Sequence, residues 1–237
     1  MPLTAPEIAA MIDHAVLKPE LTRAQVDAEL ATAARYGLLS VCVRPSDVGH
    51  SAEALAGTGV AVCTVIGFPH GTTSTAAKVA EARQAIADGA VELDMVLHIG
   101  WLRSGLVAEV EADVAAVVAA AGGLVVKVIL ETVFLTDAEI VAACGAAERA
   151  GAAFVKTSTG FAGGGATAAH IALMRASVGP SVQVKASGGV RDLDTLQQLH
   201  DLGATRFGTS GSAVLLDDAA ARDAGTAVTP RTDTASY

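Results

Sequence analysis

Two lysines end neighbouring strand-like runs and are the residues of this chain best suited to chemistry. Lys156 ends an apolar run that begins at residue 153, and a Thr-Ser-Thr-Gly turn follows it. Lys185 ends the next such run, which begins at residue 182, and an Ala-Ser-Gly-Gly turn follows it. Parallel strands one βα repeat apart usually lie side by side, so the sequence predicts that the two amines lie on adjacent strands.

Two ammonium groups on adjacent strands repel each other. At a separation of about 6 Å and an effective dielectric near 20, the repulsion is roughly 3 kcal/mol, or about two pKa units taken from one amine. Partial burial lowers the pKa further. An amine that is partly unprotonated near neutral pH is a nucleophile and can form an imine with a carbonyl compound. The pair therefore predicts a Schiff-base enzyme, and the pattern alone does not rank the two lysines.

Acidic side chains occur at strand ends as well. Asp94 lies inside an apolar run, Glu131 directly follows another, and Asp13 with His14 lies in the first run. If the strands are parallel, all of these side chains can face one mouth of a barrel, where active sites form. A carboxylate inside an apolar strand is costly unless it is paired, so Asp94 fits a structural salt bridge and a catalytic role equally well. Lys127 sits deeper in its run and is predicted to be an internal charge partner.

The elements that would position these residues alternate along the chain. Runs rich in β-branched residues predict strands at 12–17, 39–43, 60–66, 91–96, 124–130, 153–157, 182–186 and 204–208. Helical periodicity predicts helices at 23–36, 74–87, 106–120, 137–150, 168–176 and 193–202. Eight such units favour a single (β/α)8 TIM barrel over a doubly wound open sheet. The dinucleotide motif G-x-G-x-x-G does not follow the first well-defined strand, which also disfavours the open sheet.

Cap residues and composition define the domain. Capping side chains are predicted at Thr22, Thr73, Thr136, Thr167 and Asp192, and helix-ending glycines at Gly37, Gly89, Gly151 and Gly203. The pattern fades after Leu216, so the barrel domain is predicted over 1–223 and a mobile tail over 224–237. With 237 residues, 51% of them hydrophobic and 17% charged, the chain can bury one large core without a partner.

The same composition disfavours several classes of function. A formal net charge of −9 opposes binding to nucleic acid or to an anionic membrane. Because the sequence has no signal peptide and no apolar stretch long enough to span a bilayer, a cytoplasmic enzyme is predicted. Three cysteines without C-x-x-C spacing and six scattered histidines predict neither a disulfide framework nor a metal site. Cys42 is predicted to be a small buried thiol.

Glycine-rich turns in the last two units indicate a phosphate site. Gly188 and Gly189 precede Arg191, while Gly208 and Ser210 precede the last helix. Glycines let backbone N–H groups approach an anion, and a helix N-terminus adds the positive end of its dipole. Each turn alone also fits an ordinary βα connection. Together they match the usual phosphate position of barrels, after strands seven and eight, so a small phosphorylated substrate is predicted.

Two serines stand next to the lysines. Ser158 and Ser187 lack the G-x-S-x-G context of a serine nucleophile, which disfavours acyl transfer by a serine triad. Their hydroxyl groups are instead predicted to orient the substrate.

The motifs taken together resemble the deoxyribose-phosphate aldolases, a family of class I aldolases built on (β/α)8 barrels. The resemblance spans nearly the whole chain. Its carriers are DHAVLKP (13–19), SVCV (40–43), VIGFPHG (65–71), ELDMV (92–96), FVKTSTG (154–160), VKASGGVR (184–191) and RFGTS (206–210). The resemblance implies that Lys156 forms the imine, that Lys185 depresses the pKa of Lys156 and assists proton transfer, and that Asp94 acts in a proton relay through water.

The resemblance also implies the rest of the site. The substrate phosphate is expected at Gly188, Gly189, Gly208 and Ser210, with Thr159 and Gly160 nearby. The substrates are a small phosphorylated sugar, 2-deoxy-D-ribose 5-phosphate, and the aldehydes formed by its cleavage, acetaldehyde and D-glyceraldehyde 3-phosphate. No cofactor or metal is required, and a homodimer is a family expectation.

Two positions depart from the family pattern or extend it. Phe161 stands where some family members carry a lysine, which removes a charge-assisted phosphate contact worth roughly 1.5 to 3 kcal/mol. Arg191 and the glycine turns remain to hold the phosphate. Tyr237, at the end of the polar tail, is predicted to reach the site and assist proton transfer, with a disordered end as an equally supported alternative.

Other functions fit parts of the pattern. Another Schiff-base barrel aldolase, acting on a keto-sugar phosphate, would differ in the carbonyl compound that is trapped on the protein. A barrel isomerase that uses Asp94 as its base, or a noncatalytic sugar-phosphate binder, predicts no covalent adduct that borohydride can reduce.

Overall fold

The chain forms a closed barrel of parallel strands surrounded by helices. The computed structural model describes residues 2–226. The strands are β1 (Ile12–Val16), β2 (Ser40–Val43), β3 (Ala61–Ile66), β4 (Glu92–Val96), β5 (Val125–Ile129), β6 (Phe154–Lys156), β7 (Gln183–Ser187) and β8 (Ala204–Thr209). They pair in sequence order, and β8 closes the barrel on β1. The predicted (β/α)8 barrel is therefore confirmed, and each strand end agrees with its prediction to within one residue.

The helices lie between the strands in sequence. They are α1 (Ala5–Ala9), α2 (Arg23–Tyr36), α3 (Val48–Ala54), α4 (Thr75–Ala87), α5 (Ile99–Arg103), α6 (Val107–Ala121), α7 (Asp137–Arg149), α8 (Ala168–Ala176), α9 (Leu193–Asp201) and α10 (Ser212–Asp223). The sequence did not predict α1, α3 and α5, because helices of five to seven residues span too few turns to show a periodic pattern. Within residues 2–226, every helix is too short or too polar to cross a membrane.

Most helix boundaries follow the predicted caps. The side chains of Thr22, Thr136, Thr167 and Asp192 each accept a hydrogen bond from a backbone N–H three residues later. The predicted cap Thr73 is wrong, because α4 is capped by Ser74, whose side chain accepts from the backbone N–H of Ala77. The tail predicted from residue 224 falls mainly on residues 227–237, Tyr237 included, which lie outside the described residues. Its mobility stays a prediction.

The barrel interior is divided into an apolar side and a charged side. Small apolar side chains from β1 to β3 and the segment after β1 form one buried cluster, Ala15, Leu17, Cys42, Cys63 and Val65. The charged side chains come mainly from β4 to β8 and are described with the site below. A much larger apolar cluster fills the space between the strands and the helices. Burial of that layer supplies the main favourable term in folding, which offsets the cost of the charges inside the barrel.

A buried ion pair ties α4 to α6. Lys78 Nζ donates to Asp113 Oδ2 at 2.6 Å and to the Val96 carbonyl at 2.9 Å. Thr75 Oγ1 donates to the other oxygen of Asp113 at 2.8 Å, and both charged side chains are almost fully buried. Since the Val96 carbonyl belongs to the end of β4, the pair also fixes the two helices against the strand that carries Asp94.

Replacing Lys78 with Met should leave the Asp113 carboxylate buried without its cation. We expect the free energy of unfolding to fall by about 3 to 5 kcal/mol. Urea unfolding followed by circular dichroism measures this loss. The matched control is Arg149→Met, which removes a half-exposed partner of Glu111 and should cost less than about 1 kcal/mol. Equal effects of the two substitutions would contradict the assignment of α4 to α6 docking to the buried pair.

Candidate active site

Strand register places the two lysines side by side. Lys156 is the last residue of β6, and its Cα is in register with that of Lys185 in β7. The prediction that both lie on adjacent strands is confirmed. Beyond Lys156 the chain stays attached to β7, because Thr157 N donates to the Lys185 carbonyl and Thr157 Oγ1 donates to the Ser187 carbonyl. These bonds hold the Thr-Ser-Thr-Gly turn at the C-terminal end of the barrel.

Asp94 is the centre of the charged side of the barrel. It lies in β4, is fully buried, and faces three lysines. Its Oδ2 accepts from Lys156 Nζ and from Lys185 Nζ, each at 2.7 Å, and its Oδ1 accepts from Lys127 Nζ at 2.9 Å. One carboxylate therefore holds both predicted catalytic amines at a single oxygen.

A second set of charges surrounds this centre. Asp13 in β1 pairs with Lys185 and Arg206, and its contact with Arg206 Nη1 is 2.6 Å long. Glu92, two residues before Asp94, accepts from Lys127 at 2.5 Å and from Arg206 at 3.0 Å. The predicted role of Lys127 as an internal charge partner is borne out by these contacts. Neither Glu92 nor Arg206 was singled out by the sequence analysis, although each lies an even number of residues from an interior position of its strand.

The charges fix one another's protonation states. Burial alone would raise the pKa of Asp94, but Lys127, Lys156 and Lys185 together hold it well below its usual range. Burial would lower the pKa of Lys185, yet Asp13 and Asp94 outweigh it and raise that pKa above its usual range. Repulsion from Lys127 also lowers the pKa of Lys185, but the two carboxylates outweigh it, so Lys185 stays charged beside Lys156.

The contacts distinguish the three lysines. Among residues 2–226, Lys127 lies within ion-pair distance of three carboxylates, Lys185 within that of two, and Lys156 within that of Asp94 alone. Lys156 is also the most exposed of the three, at 3% against 0% for Lys127 and 1% for Lys185. The amine with the fewest ion pairs, on the mouth side of the cluster, is the one best able to leave its partner and meet a substrate.

Two thiols also lie beside Asp94. Cys42 and Cys63 are buried, as predicted for Cys42, and are in register on β2 and β3. One ligand atom from each thiol and from Asp94 lies within 4.8 Å of the others, a spacing that suits a metal ion. However, Lys127 Nζ already lies 2.9 Å from Asp94 Oδ1 and 3.5 Å from Cys63 Sγ, so an ammonium ion supplies the positive charge there.

A cavity lined almost entirely by glycines lies at the turns that follow the two lysine-bearing strands. It has a volume of about 210 Å³ and is lined by Arg191 and by glycines of the β6 and β7 turns, which are Gly160, Gly163, Gly164, Gly165, Gly188 and Gly189. Gly188 has φ 78°, a left-handed conformation, and a Cβ there would lie 2.9 Å from the Cα of Gly165. The two turns thus touch backbone to backbone, and side chains on them would fill the cavity.

The other predicted phosphate residues lie elsewhere. Ser210 lines a cavity of about 180 Å³ with Lys18 and Glu29. Gly208 is part of β8, where a Cβ would collide with Ser187 Oγ, so this glycine makes room for the side chains of β7. Thr159 lines a third cavity, described next. Gly160, Gly188 and Gly189 thus line one cavity with Arg191, while Thr159 and Ser210 line neighbouring cavities and Gly208 pairs with Ser187, the residue before Gly188.

A cavity of about 500 Å³ opens over the loops that follow β3 to β6. Its lining includes Glu131, Thr159, His70, Arg103 and Phe161. The ring of Phe161 packs edge to face against that of Phe68, with centroids 5.2 Å apart. Phe161 thus forms part of an apolar wall at the mouth, where a lysine would have provided a charge.

Of the acidic candidates, Glu131 and Asp13 face the barrel mouth or interior, and His14 does not. His14 points outward between the barrel and the helices, where Nδ1 lies 2.8 Å from Ser212 Oγ and Nε2 lies 2.8 Å from Glu29 Oε2. The expectation that His14 faces the mouth is wrong, since adjacent residues of a strand point to opposite faces and Asp13 already points inward.

Comparisons with known proteins agree with this arrangement. The family described as DeoC/LacD family aldolase matches residues 8–221. A protein named deoxyribose-phosphate aldolase from Staphylococcus epidermidis is 51% identical over 208 residues, which cover 88% of this chain and 94% of the relative. The protein of the same name from Brevibacillus brevis is 52% identical with the same coverage.

Solved structures of aldolases superpose closely on the barrel. The structure titled "QR15, an Aldolase" matches with a TM-score of 0.88 and 36% identity, covering 92% of this chain and 97% of that one. The tetrameric deoxyribose phosphate aldolase of Aeropyrum pernix matches with a TM-score of 0.83 and 32% identity, covering 90% and 91%. With its barrel, its paired lysines and these relatives, the chain belongs to the DeoC/LacD family of aldolases.

Proposed function

We propose that this chain is a class I aldolase that cleaves 2-deoxy-D-ribose 5-phosphate reversibly to acetaldehyde and D-glyceraldehyde 3-phosphate. The observation that carries the proposal is the position of Lys156 at the end of β6, held by the single carboxylate Asp94 and next to the charged Lys185. Relatives about half identical to the chain carry the name deoxyribose-phosphate aldolase.

The reaction begins at Lys156. Its amine attacks the aldehyde carbon of the open-chain sugar, and loss of water gives a protonated imine. The imine nitrogen accepts the electron pair of the bond between C2 and C3 when that bond breaks, so no cofactor is needed in this proposal. The enamine that results is protonated at carbon and hydrolysed to acetaldehyde. Synthesis follows the same steps in reverse.

Asp94 and Lys185 serve the steps at the imine and enamine. Lys185, held charged by Asp13 and Asp94, is a fixed cation beside Lys156 and can donate a proton there. Asp94 contacts both amines through one oxygen and can pass a proton between them, with water in the path to the enamine carbon. The strongly lowered pKa of Asp94 keeps the carboxylate ionised, so it anchors the two lysines, which carry the protons.

The glycine cavity receives the phosphate in this proposal. Its backbone N–H groups can approach an anion closely, and Arg191 adds a charge-assisted contact. Ser158 Oγ and Ser187 Oγ are buried near the lysines without a hydrogen-bond partner in residues 2–226. Buried hydroxyls are rarely left unpaired, which supports their predicted role in orienting substrate.

Three further predictions go with this function and concern the whole protein. We keep the expectation of a homodimer, and the Aeropyrum pernix relative is a tetramer. A cytoplasmic location, and a contribution of Tyr237 to proton transfer, likewise stay predictions from the sequence.

The nucleophile can be identified by trapping. Incubation with acetaldehyde and borohydride should place one ethyl group on Lys156, because reduction converts the imine to a stable secondary amine, and peptide mass spectrometry locates it. Lys156→Leu should give no adduct and no turnover, while the more exposed Lys18 reports nonspecific alkylation. An adduct on Lys185 or Lys127 would overturn the residue assignment, and an active protein without any adduct would overturn the enzyme class.

Replacing Lys185 with Leu should leave a slow enzyme. We expect kcat to fall about 10²- to 10⁴-fold, because a fixed cation and a proton donor beside the imine are both lost. Stopped assays with deoxyribose 5-phosphate measure kcat, circular dichroism checks the fold, and the acetaldehyde adduct should still form on Lys156, more slowly. Turnover at the normal rate in a folded Lys185→Leu variant would contradict this role.

Arg191→Met should weaken recognition of the phosphate alone. We expect KM for deoxyribose 5-phosphate to rise about tenfold, which corresponds to the lower end of a charge-assisted contact. The kcat/KM for unphosphorylated 2-deoxyribose should not change. Arg35→Met, on the outer face of α2, is the control. A parallel loss for both sugars would show that Arg191 acts on the fold or on catalysis instead.

A further inference from the structure

Glu131 is a buried carboxyl group at the mouth that the steps above do not use. It lies two residues after the end of β5, is 1% exposed, and has φ 57°, in the left-handed region that glycine favours. Within residues 2–226 it is the one non-glycine residue with a positive φ. Strained backbone of this kind persists where the surrounding structure holds it, and it concentrates at functional sites.

The strained backbone aims the carboxyl group at the turn that follows Lys156. Thr159 N donates to both carboxylate oxygens, each at 3.2 Å, and Thr159 Oγ1 donates to Oε2. Phe161 N in turn donates to Thr159 Oγ1 at 3.0 Å, which fixes the hydroxyl. A carboxylate has about four lone-pair positions, so Oε1 retains the capacity to accept a further hydrogen bond. Glu131 and Thr159 both line the 500 Å³ cavity.

The electrostatic setting of Glu131 is opposite to that of Asp94. Burial raises the pKa of Glu131 above its usual range, and the hydrogen bonds from Thr159 and the charge of Lys156 only partly offset it. Within residues 2–226, His70 and Arg103 are the other ionisable residues that line the same cavity. A proton acceptor is most effective when its pKa approaches the working pH, so Glu131 is better suited to exchange a proton with substrate than Asp94 is.

We propose that Glu131 takes the proton of the C3 hydroxyl group of the sugar when the bond between C2 and C3 breaks. The inference rests on the proposed aldolase function. The electron pair of the breaking bond moves onto the imine, which becomes a neutral enamine. The C3 hydroxyl becomes the carbonyl group of glyceraldehyde 3-phosphate, and its proton goes to the Glu131 carboxylate. In synthesis the protonated carboxyl group returns that proton to the aldehyde oxygen.

In this proposal, proton transfer is carried out by different residues at two positions in the site. Asp94 and Lys185, which lie beside Lys156, act at the imine and the enamine. Glu131, which is hydrogen-bonded to the turn after Lys156, acts at the oxygen of the second aldehyde. Thr159 then has a positioning role, since its N–H and hydroxyl orient the carboxyl group.

The test separates imine formation from C–C cleavage. Glu131→Gln keeps the acceptor for Thr159 N–H but cannot take a proton. We expect kcat for deoxyribose 5-phosphate to fall about 10²- to 10⁴-fold, while trapping of acetaldehyde on Lys156 by borohydride proceeds at the wild-type rate. Because a base must be unprotonated, wild-type kcat/KM should fall as pH drops through the pKa of Glu131, and the variant should lack this acidic limb.

A second variant and a control keep the result independent of folding. Glu131→Gly relieves the left-handed backbone, which offsets part of the cost of the hydrogen bonds lost from Thr159, so it should still fold and should show the same loss of cleavage with normal trapping. Glu148→Gln alters a glutamate that accepts a backbone N–H, from Gly179, away from the mouth, and should cleave normally. Normal cleavage by Glu131→Gln, or equal loss of trapping and cleavage in both Glu131 variants, would overturn the role of Glu131. Absence of trapping in the wild type would instead overturn the aldolase function.

Discussion

The structure of this barrel depends on the burial of one carboxylate, Asp94, among three lysines. Each of these ammonium groups would be costly inside a protein without a partner, and a partner removed from such a network leaves uncompensated charge behind. Asp94 contacts all three at hydrogen-bonding distance, while Asp13 and Glu92 complete the pairing of Lys127, Lys185 and Arg206. The register of β4 against β5 is therefore fixed by charge as well as by hydrogen bonds.

Charged side chains inside the barrel cost folding free energy that apolar side chains in their place would not cost. Part of the interior shows that alternative, since Ala15, Leu17 and Val65 pack together in an apolar cluster. The charged side chains hold an amine in one place, away from water and among fixed neighbours, before any substrate binds. Such preorganisation is the main way in which enzymes stabilise developing charge. The large apolar layer between strands and helices offsets its cost.

The sequence predicted the fold well because strands and helices have recognisable patterns within short stretches of sequence. Each of these signals spans only a few residues. They include runs of β-branched residues, capping side chains such as Thr136 and helix-ending glycines such as Gly37. The network was harder to predict, because Asp13 and Arg206 are 193 positions apart and meet only after the barrel has closed. Lys156 could not be ranked above Lys185 for the same reason. Their difference lies in how many carboxylates each one meets, which depends on strands distant in sequence.

Two carboxyl groups near Lys156 show how environment assigns different chemistry to the same functional group. Asp94 lies among cations, and its pKa is driven down, whereas Glu131 lies under apolar and hydroxyl side chains, and its pKa is driven up by burial. Groups whose pKa values are pushed apart in this way commonly take separate acid and base roles within one site. The type of a residue alone therefore does not determine whether it acts as an acid, a base or a charge partner. Glycine would relax the backbone at position 131, but it would remove the carboxyl group that Glu131 holds against Thr159, facing the cavity.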